Sequence, residues 1–405
     1  MTIHPIRRRP GARLTLALFV FFAIRFAAQN AVATEQAPNA ASRPELDLAA
    51  ALRSLRAAID APGFSGAAVL MRGSETLFAE ARGMADKAQA LPNTLSTRFN
   101  IASVGKLLTA SVLSRVAANG GLELASIRPA ETLKERSSLF DGRLTAIDLL
   151  AHRTSVRGLI DGKGGIDRVL AARSNRDLAD LVAEAQDGPI APLRGELRYN
   201  NANYILIGEM AARMDGRSYE DSLRAVVLGP AGVTAAFSRE SVPGQAAPAL
   251  GYVAADFDEE AEGPPAVAAD YPRQYSKGLS GARASAAGGL FISAPDLAKV
   301  GVALLGGRIL PASRLEELCK TQIPVIPILI HGLGCVGVNH GPGVRRFGHN
   351  GGAPGISAEF ALYPDSGLSL VVLSNHHGRA QPVLKAFETA YFGAAARLRP
   401  GMIIR

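Results

Sequence analysis

A chain of 405 residues, 48% hydrophobic and 20% charged, has enough apolar material for a large core and is neither disordered nor fibrous. Its formal net charge of +8 falls to +3 once residues 1–33, with five arginines and no acid, are set aside. A balance that mild, with no dense basic block downstream, argues against a nucleic-acid partner.

The first 33 residues read as a targeting segment. Arg7, Arg8, Arg9 and Arg13 precede an apolar run from Leu14 to Ile24, and Ala31-Val32-Ala33 offers a small-residue cleavage site. Cleaved, this is a secretory signal peptide; uncleaved, it is an N-terminal anchor. Either reading places the remainder outside the cytoplasm, periplasmic or secreted, with membrane contact only through an uncleaved N-terminus. Residues 34–45 are small and polar and read as a linker.

Leu46 to Ile59 carries helical apolar spacing, ended by Pro62-Gly63. Ala67 to Arg72 and Glu75 to Arg82 read as a hairpin around Gly73-Ser74. Lys106 to Asn119 is the strongest helix, with Leu108, Val112 and Val116 on one face and Asn119-Gly120-Gly121 as its stop. Residues 136–280 mix short helical patterns with loops, at Asp177 to Ala185, Ile205 to Met214 and Tyr219 to Val227. Asp256 to Pro265 reads as a solvated loop. A further helix is expected at Pro295 to Leu305, with Ser293 as its N-cap. Ile356 to Leu362 and Leu368 to Val372 alternate around Pro364-Asp365-Ser366-Gly367, a second hairpin, and a helix at Pro382 to Phe392 closes the fold. Strands near both ends with helices between predict an α+β protein, in which an antiparallel sheet built from both chain ends is flanked by helices. The expected division is 46–135 and 281–395 for the sheet lobe and 136–280 for an inserted, mostly helical lobe, with 396–405 as a tail.

Three stretches carry chemistry. Ser103-Val104-Gly105-Lys106 is the only Ser-x-x-Lys in the chain and opens its best helix. Residues i and i+3 share a helix face, so Lys106 can reach Ser103 Oγ, and a lysine desolvated beside a helix N-terminus loses proton affinity and can act as a base. The plain alternative is an N-cap serine with an exposed lysine. In Tyr199-Asn200-Asn201 a phenol can relay a proton and the Asn201 amide can hold a carbonyl and the lysine, or the segment simply caps the next helix. In Gly348-His349-Asn350-Gly351-Gly352 the glycines allow close approach of a substrate backbone, and the Gly352 N–H can pair with that of Ser103 as an oxyanion hole. His349 is a site residue or a structural histidine.

The order Ser-x-x-Lys, Tyr-x-Asn, His-x-Gly resembles the β-lactamase-related serine hydrolases: class C β-lactamases, D-alanyl-D-alanine carboxypeptidases, D-aminopeptidases and esterases. The resemblance covers residues 46–395 and extends to Leu149–Ser155, Ala287-Gly288-Gly289-Leu290, Ala294-Pro295-Asp296-Leu297 and Gly332-Leu333-Gly334. It implies a β-lactamase/transpeptidase-like fold and an acyl-enzyme on Ser103, with Lys106 and Tyr199 as base. It also implies that Asn201, His349, Gly351 and Gly352 surround the substrate, a small ester, amide or D-amino-acid peptide. No cofactor and no metal are expected. His349 stands where β-lactamases proper carry lysine, which predicts weak or absent antibiotic hydrolysis. Thr154 to Gly158 and Cys335 also depart from the family pattern. A protein of this fold that binds penicillin without turnover, a sensor or cell-wall scaffold, is the rival reading.

Two decoys fall away. Gly332-Leu333-Gly334-Cys335-Val336-Gly337 fits a dinucleotide fingerprint but lacks the helix that must follow. His376-His377 reads as a loop pair and not as metal ligands. Cys319 and Cys335 either bridge or sit as two small buried hydrophobes.

Overall fold

The computed structural model describes residues 46–159, 165–239, 247–258, 270–275, 282–320, 323–326, 329–339 and 345–393. The targeting segment, the linker, the tail and the end of the acidic loop lie outside the described residues.

One antiparallel sheet organises the molecule. Its strands are β1 (Gly66–Arg72), β2 (Glu75–Arg82), β3 (Ile323–Ile326), β4 (Leu329–His331), β5 (Val336–Asn339), β6 (Arg345–Ala353), β7 (Ile356–Tyr363) and β8 (Leu368–Ser374). They lie in the order β2-β1-β8-β7-β6-β5-β4-β3, so the N-terminal hairpin pairs with the last strand of the chain. The pairing β1 to β8 runs from Gly66↔Ser374 to Arg72↔Leu368.

The central strands are apolar on both sides because both faces are covered. Ala68 and Leu70 of β1, Leu370 and Val372 of β8 and Tyr363 of β7 face α1 (Leu48–Asp60) and the C-terminal helix. Ala67, Val69, Val371, Leu373, Ala358 and Phe360 face the larger core. That core is shared with α2 (Gly105–Asn119), α3 (Asn175–Glu184), α4 (Asn201–Asp215), α5 (Ala294–Leu305) and α6 (Ala312–Cys319). The C-terminal helix, α7, spans Ala380–Phe392. In α1 the buried residues Ala51, Leu55 and Ile59 fall four apart, one stripe of an amphipathic helix. Among the described residues no helix is long and apolar enough to cross a membrane.

The helices differ in detail from their sequence patterns. Helix α3 starts at Asn175 because Ser174 and Asp177 form a capping box. Helix α4 starts at Asn201, capped by the Asn200 side chain, which accepts the Ala202 N–H. The pattern at Tyr219 to Val227 is α-helical only over Tyr219–Leu223 and widens into a π-turn at Arg224–Leu228, ahead of Pro230, which lacks an N–H to continue it. His376 and His377 lie in the loop after β8, as expected, but are buried there, and their Nδ1 atoms meet the carbonyls of Gly63 and Ala353. Cys319 and Cys335 form a disulfide that ties the end of α6 to the β4–β5 turn.

Candidate active site

Ser103 lies in a 3₁₀ turn, Ala102–Val104, that runs into α2. The turn is strained at Ala102, whose φ of +41° costs a non-glycine residue about 1–3 kcal/mol. Its neighbours hold it there. Asn100 Oδ1 accepts the Ala102 N–H at 2.8 Å, and the Gly289 N–H donates to Ala102 O at 3.1 Å. Missing side chains let the surrounding segments close in. A Cβ on Gly288 would lie 2.1 Å from Ala102 O, one on Gly105 2.8 Å from Gly288 Cα, and one on Gly351 2.2 Å from Ile101 O.

Lys106, one turn into the helix, is fully buried. Its Nζ stands 3.0 Å from Ser103 Oγ, 2.8 Å from Asn201 Oδ1 and 2.8 Å from Ala287 O. Burial with no carboxylate beside it lowers its pKa to about 7. A neutral amine has two N–H bonds and one lone pair. The two carbonyl oxygens are pure acceptors and take the N–H bonds, which leaves the lone pair directed at Ser103.

Tyr199 reaches the same oxygen from the segment just before α4, its OH donating to Ser103 Oγ at 2.8 Å. Burial raises the phenol's pKa, so the group stays protonated. Its position is set by His152, whose ring packs against it, tilted by 34°, at 4.3 Å between ring centroids. The Asn200 N–H donates to His152 Nδ1, and the Arg198 N–H donates to His152 O. Thr154 in turn donates to Asn203 Oδ1 at 2.6 Å. The altered segment after His152 is thus part of the support for Tyr199.

The sheet supplies the third side. His349 on β6 is buried, and its Nδ1–H donates to Asn350 O at 2.5 Å. Burial and the nearby Lys106 lower its pKa to about 3, so the ring is neutral with a bare, unpartnered Nε2. Gly352 is exposed, and a Cβ there would meet nothing within 4 Å, so this stretch of β6 borders open space.

The structure therefore brings Ser103, Lys106, Tyr199 and Asn201 into one hydrogen-bonded group, with β6 against the nucleophile turn through Gly351. Three supporting features escape the sequence reading. The Ala287 carbonyl has no side-chain signature, although the Ala-Gly-Gly that carries it does stand out. Asn100 stands in the Phe99-Asn100-Ile101-Ala102 run before the serine, but nothing in that run marks its bond to the Ala102 N–H. His331 lies 5.5 Å from the His152 ring, one residue before a glycine motif and unmarked by any motif. Among the described residues no group of three or more His, Cys, Asp or Glu is placed to hold a metal ion.

Comparison with known proteins bears on the family and the fold. The family model described as Beta-lactamase matches residues 48–393. A Bacillus subtilis protein provisionally named penicillin-binding protein PbpX is 26% identical over 257 residues, 63% of this chain and 59% of that one. This chain thus spans about three fifths of that relative's length. Two solved structures share the fold. The penicillin-binding protein from Bacillus halodurans superposes with a TM-score of 0.68 at 23% identity, covering 83% of this chain and 99% of that one. The D-amino acid amidase from Ochrobactrum anthropi, solved with D-phenylalanine, gives 0.66 at 23% identity, covering 84% and 99%.

Proposed function

The chain belongs to the Beta-lactamase family of serine hydrolases, and on that premise we propose that it cleaves a small ester or amide through an acyl-enzyme on Ser103. The observation that carries the reading is the Lys106 amine, buried, near neutrality, and aimed at Ser103 Oγ with its other two partners fixed.

The proton path follows from those partners. Lys106 Nζ takes the Ser103 proton as Oγ attacks the substrate carbonyl carbon. The carbonyl oxygen, now an anion, is held by the N–H groups of Ser103 and Gly352. As the bond to the leaving group breaks, Tyr199 gives that group its proton and recovers one from Lys106. Water then attacks the acyl carbon, loses its proton through the same pair, and Ser103 leaves as the alcohol. Asn201 fixes the lysine throughout. His349, neutral and bare at Nε2, accepts a substrate N–H.

The site has no cation at His349, and Lys106 is neutral when it acts as base. A β-lactam carboxylate therefore finds no charge at the position where β-lactamases proper carry lysine, and antibiotic hydrolysis is weak or absent. D-amino-acid amides, named for one structural neighbour, and simple esters suit the site better. The N-terminal pattern supports export, so the substrate is met outside the cytoplasm.

A panel of p-nitrophenyl esters, D-amino-acid amides, D-Ala-D-Ala peptides and nitrocefin tests the reading. Turnover of at least one ester or amide, lost in a folded Ser103→Ala variant, supports it. Labelling of Ser103 by a fluorescent penicillin with no turnover of any substrate supports the rival sensor.

A further inference from the structure

The β6–β7 turn closes against the segment at Gly251, and a cavity of about 110 Å³ remains beside it. Phe99, Asn100, Arg239, Gln274, Tyr275 and Gly355 are among its walls. Its base is tight: a Cβ on Gly251 would lie 2.8 Å from Gly355 O. One wall is shared with the nucleophile's support, because Asn100 also holds the Ala102 N–H. Gly355 lies three residues beyond Gly352, so the cavity continues the line of β6 past the catalytic group.

Arg239 is the charged group in this cavity, and among the described residues it has no counter-charge. Its hydrogen bonds to the chain are long ones, Nη1 to Ala249 O at 3.2 Å and Nη2 to Pro248 O at 3.4 Å. The guanidinium also lies 5.8 Å from the Phe291 ring centroid. No carboxylate pairs with it among the described residues, whereas Arg314 and Arg345 each hold two. Burial acts on the guanidinium with only Tyr252 opposing it. A half-buried arginine has five N–H donors in a planar fork, and desolvating it without an anion is unfavourable. Asn100 uses its carbonyl oxygen on the chain, which leaves its NH₂ as a second donor, and the Gln274 amide offers a third.

We propose that this cavity is an anion subsite in which Arg239, with Asn100 and Gln274, receives a carboxylate on the substrate's arm beyond Gly352. The inference rests on the hydrolase reading for calling the ligand a substrate, and it narrows that substrate to acidic esters or amides. The pocket is separate from His349, whose neutral ring supplies no charge.

The test compares the p-nitrophenyl monoester of glutarate with p-nitrophenyl valerate, equal in acyl chain length. The wild-type protein should favour the acidic ester by about tenfold or more in kcat/KM, the scale of one charge-assisted pair. That ratio should fall to near one in Arg239→Gln and to an intermediate value in Arg239→Lys, which keeps the charge and loses the fork. No preference in the wild type, or an unchanged ratio in Arg239→Gln, overturns the subsite. If neither ester is turned over, the hydrolase reading fails separately, and thermal-shift titration with free glutarate decides the subsite. Stabilisation of the wild type that is lost in the folded Arg239→Gln or reduced in Arg239→Lys supports it; no stabilisation, or equal stabilisation in the variants, overturns it.

Discussion

An exposed lysine holds its proton to about pH 10.4 and cannot serve as a base near neutrality. Lys106 escapes that limit through burial, which favours the uncharged amine, while two carbonyl acceptors orient it. A depressed folded-state pKa sets the sign: below about 7 the amine is protonated and its lone pair is lost. We expect kcat/KM for a neutral ester to rise about tenfold per pH unit on the acid side and level off above pH 7, a limb absent from any residual activity of Lys106→Met. A flat profile from pH 5 to 8 would remove Lys106 as the base. Tyr199→Phe keeps the ring on His152 but loses the donor, and should lower kcat by about 10²–10⁴-fold with KM little changed. The Ser103 and Lys106 pair is legible in sequence because i and i+3 on one helix meet. Tyr199 is not legible alone, since its partner is 96 positions away and only folding joins them.

At the scale of elements, the site depends on how closely β6, the 3₁₀ turn and the Ala287–Gly289 loop approach one another. Adjacent glycines on β6 test this with opposite outcomes. Gly351→Ala puts a Cβ 2.2 Å from Ile101 O and should cost about 1–3 kcal/mol while displacing the nucleophile turn. Gly352→Ala points its Cβ into open space and should stay within about 0.5 kcal/mol of the parent. Thermal unfolding of the two variants checks this; equal losses would mean that β6 does not bear on the turn as described. The sequence marks both glycines alike, because close approach is a property of the neighbouring backbone and not of the glycine. The same reason hides the Ala287 carbonyl. A helix end is legible at Ser293, whose side chain caps it, and less so at Ser174, which lies before the apolar spacing begins, or at Arg224–Leu228, where that spacing is the same in an α- and a π-turn.

Across the whole molecule, a hairpin pattern near each end of the chain is enough to predict a sheet made from both chain ends, and burial on both faces makes its central strands apolar on both sides. The pairing of β1 with β8 and the disulfide are not legible, since both join positions that only tertiary structure brings together. Cross-linking a 16-residue separation is worth about 3 kcal/mol, so reduction should lower the midpoint of unfolding, and an unmoved midpoint would mean that the bridge is not formed. A second whole-molecule effect comes from Glu359, buried on β7 among Arg346, Glu388 and Tyr363, where burial pushes its carboxyl up to about 8. The folded state then binds a proton that the unfolded chain releases near pH 4.5, so its contribution to stability is lost as pH rises from 4.5 through 8. Glu359→Gln imitates the protonated form and should gain stability over the parent by up to about 4 kcal/mol at pH 8 and nearly nothing at pH 4.5. A gap that does not change with pH would mean that Glu359 is ionised in the fold.

The proposal as a whole is tested most directly by trapping the covalent species. Intact-mass spectrometry of the protein quenched during turnover of a p-nitrophenyl ester should give one acyl increment per chain, mapped by peptide sequencing to Ser103 and absent from Ser103→Ala. An increment on another residue, or undiminished turnover in Ser103→Ala, would contradict the assignment of Ser103 as nucleophile.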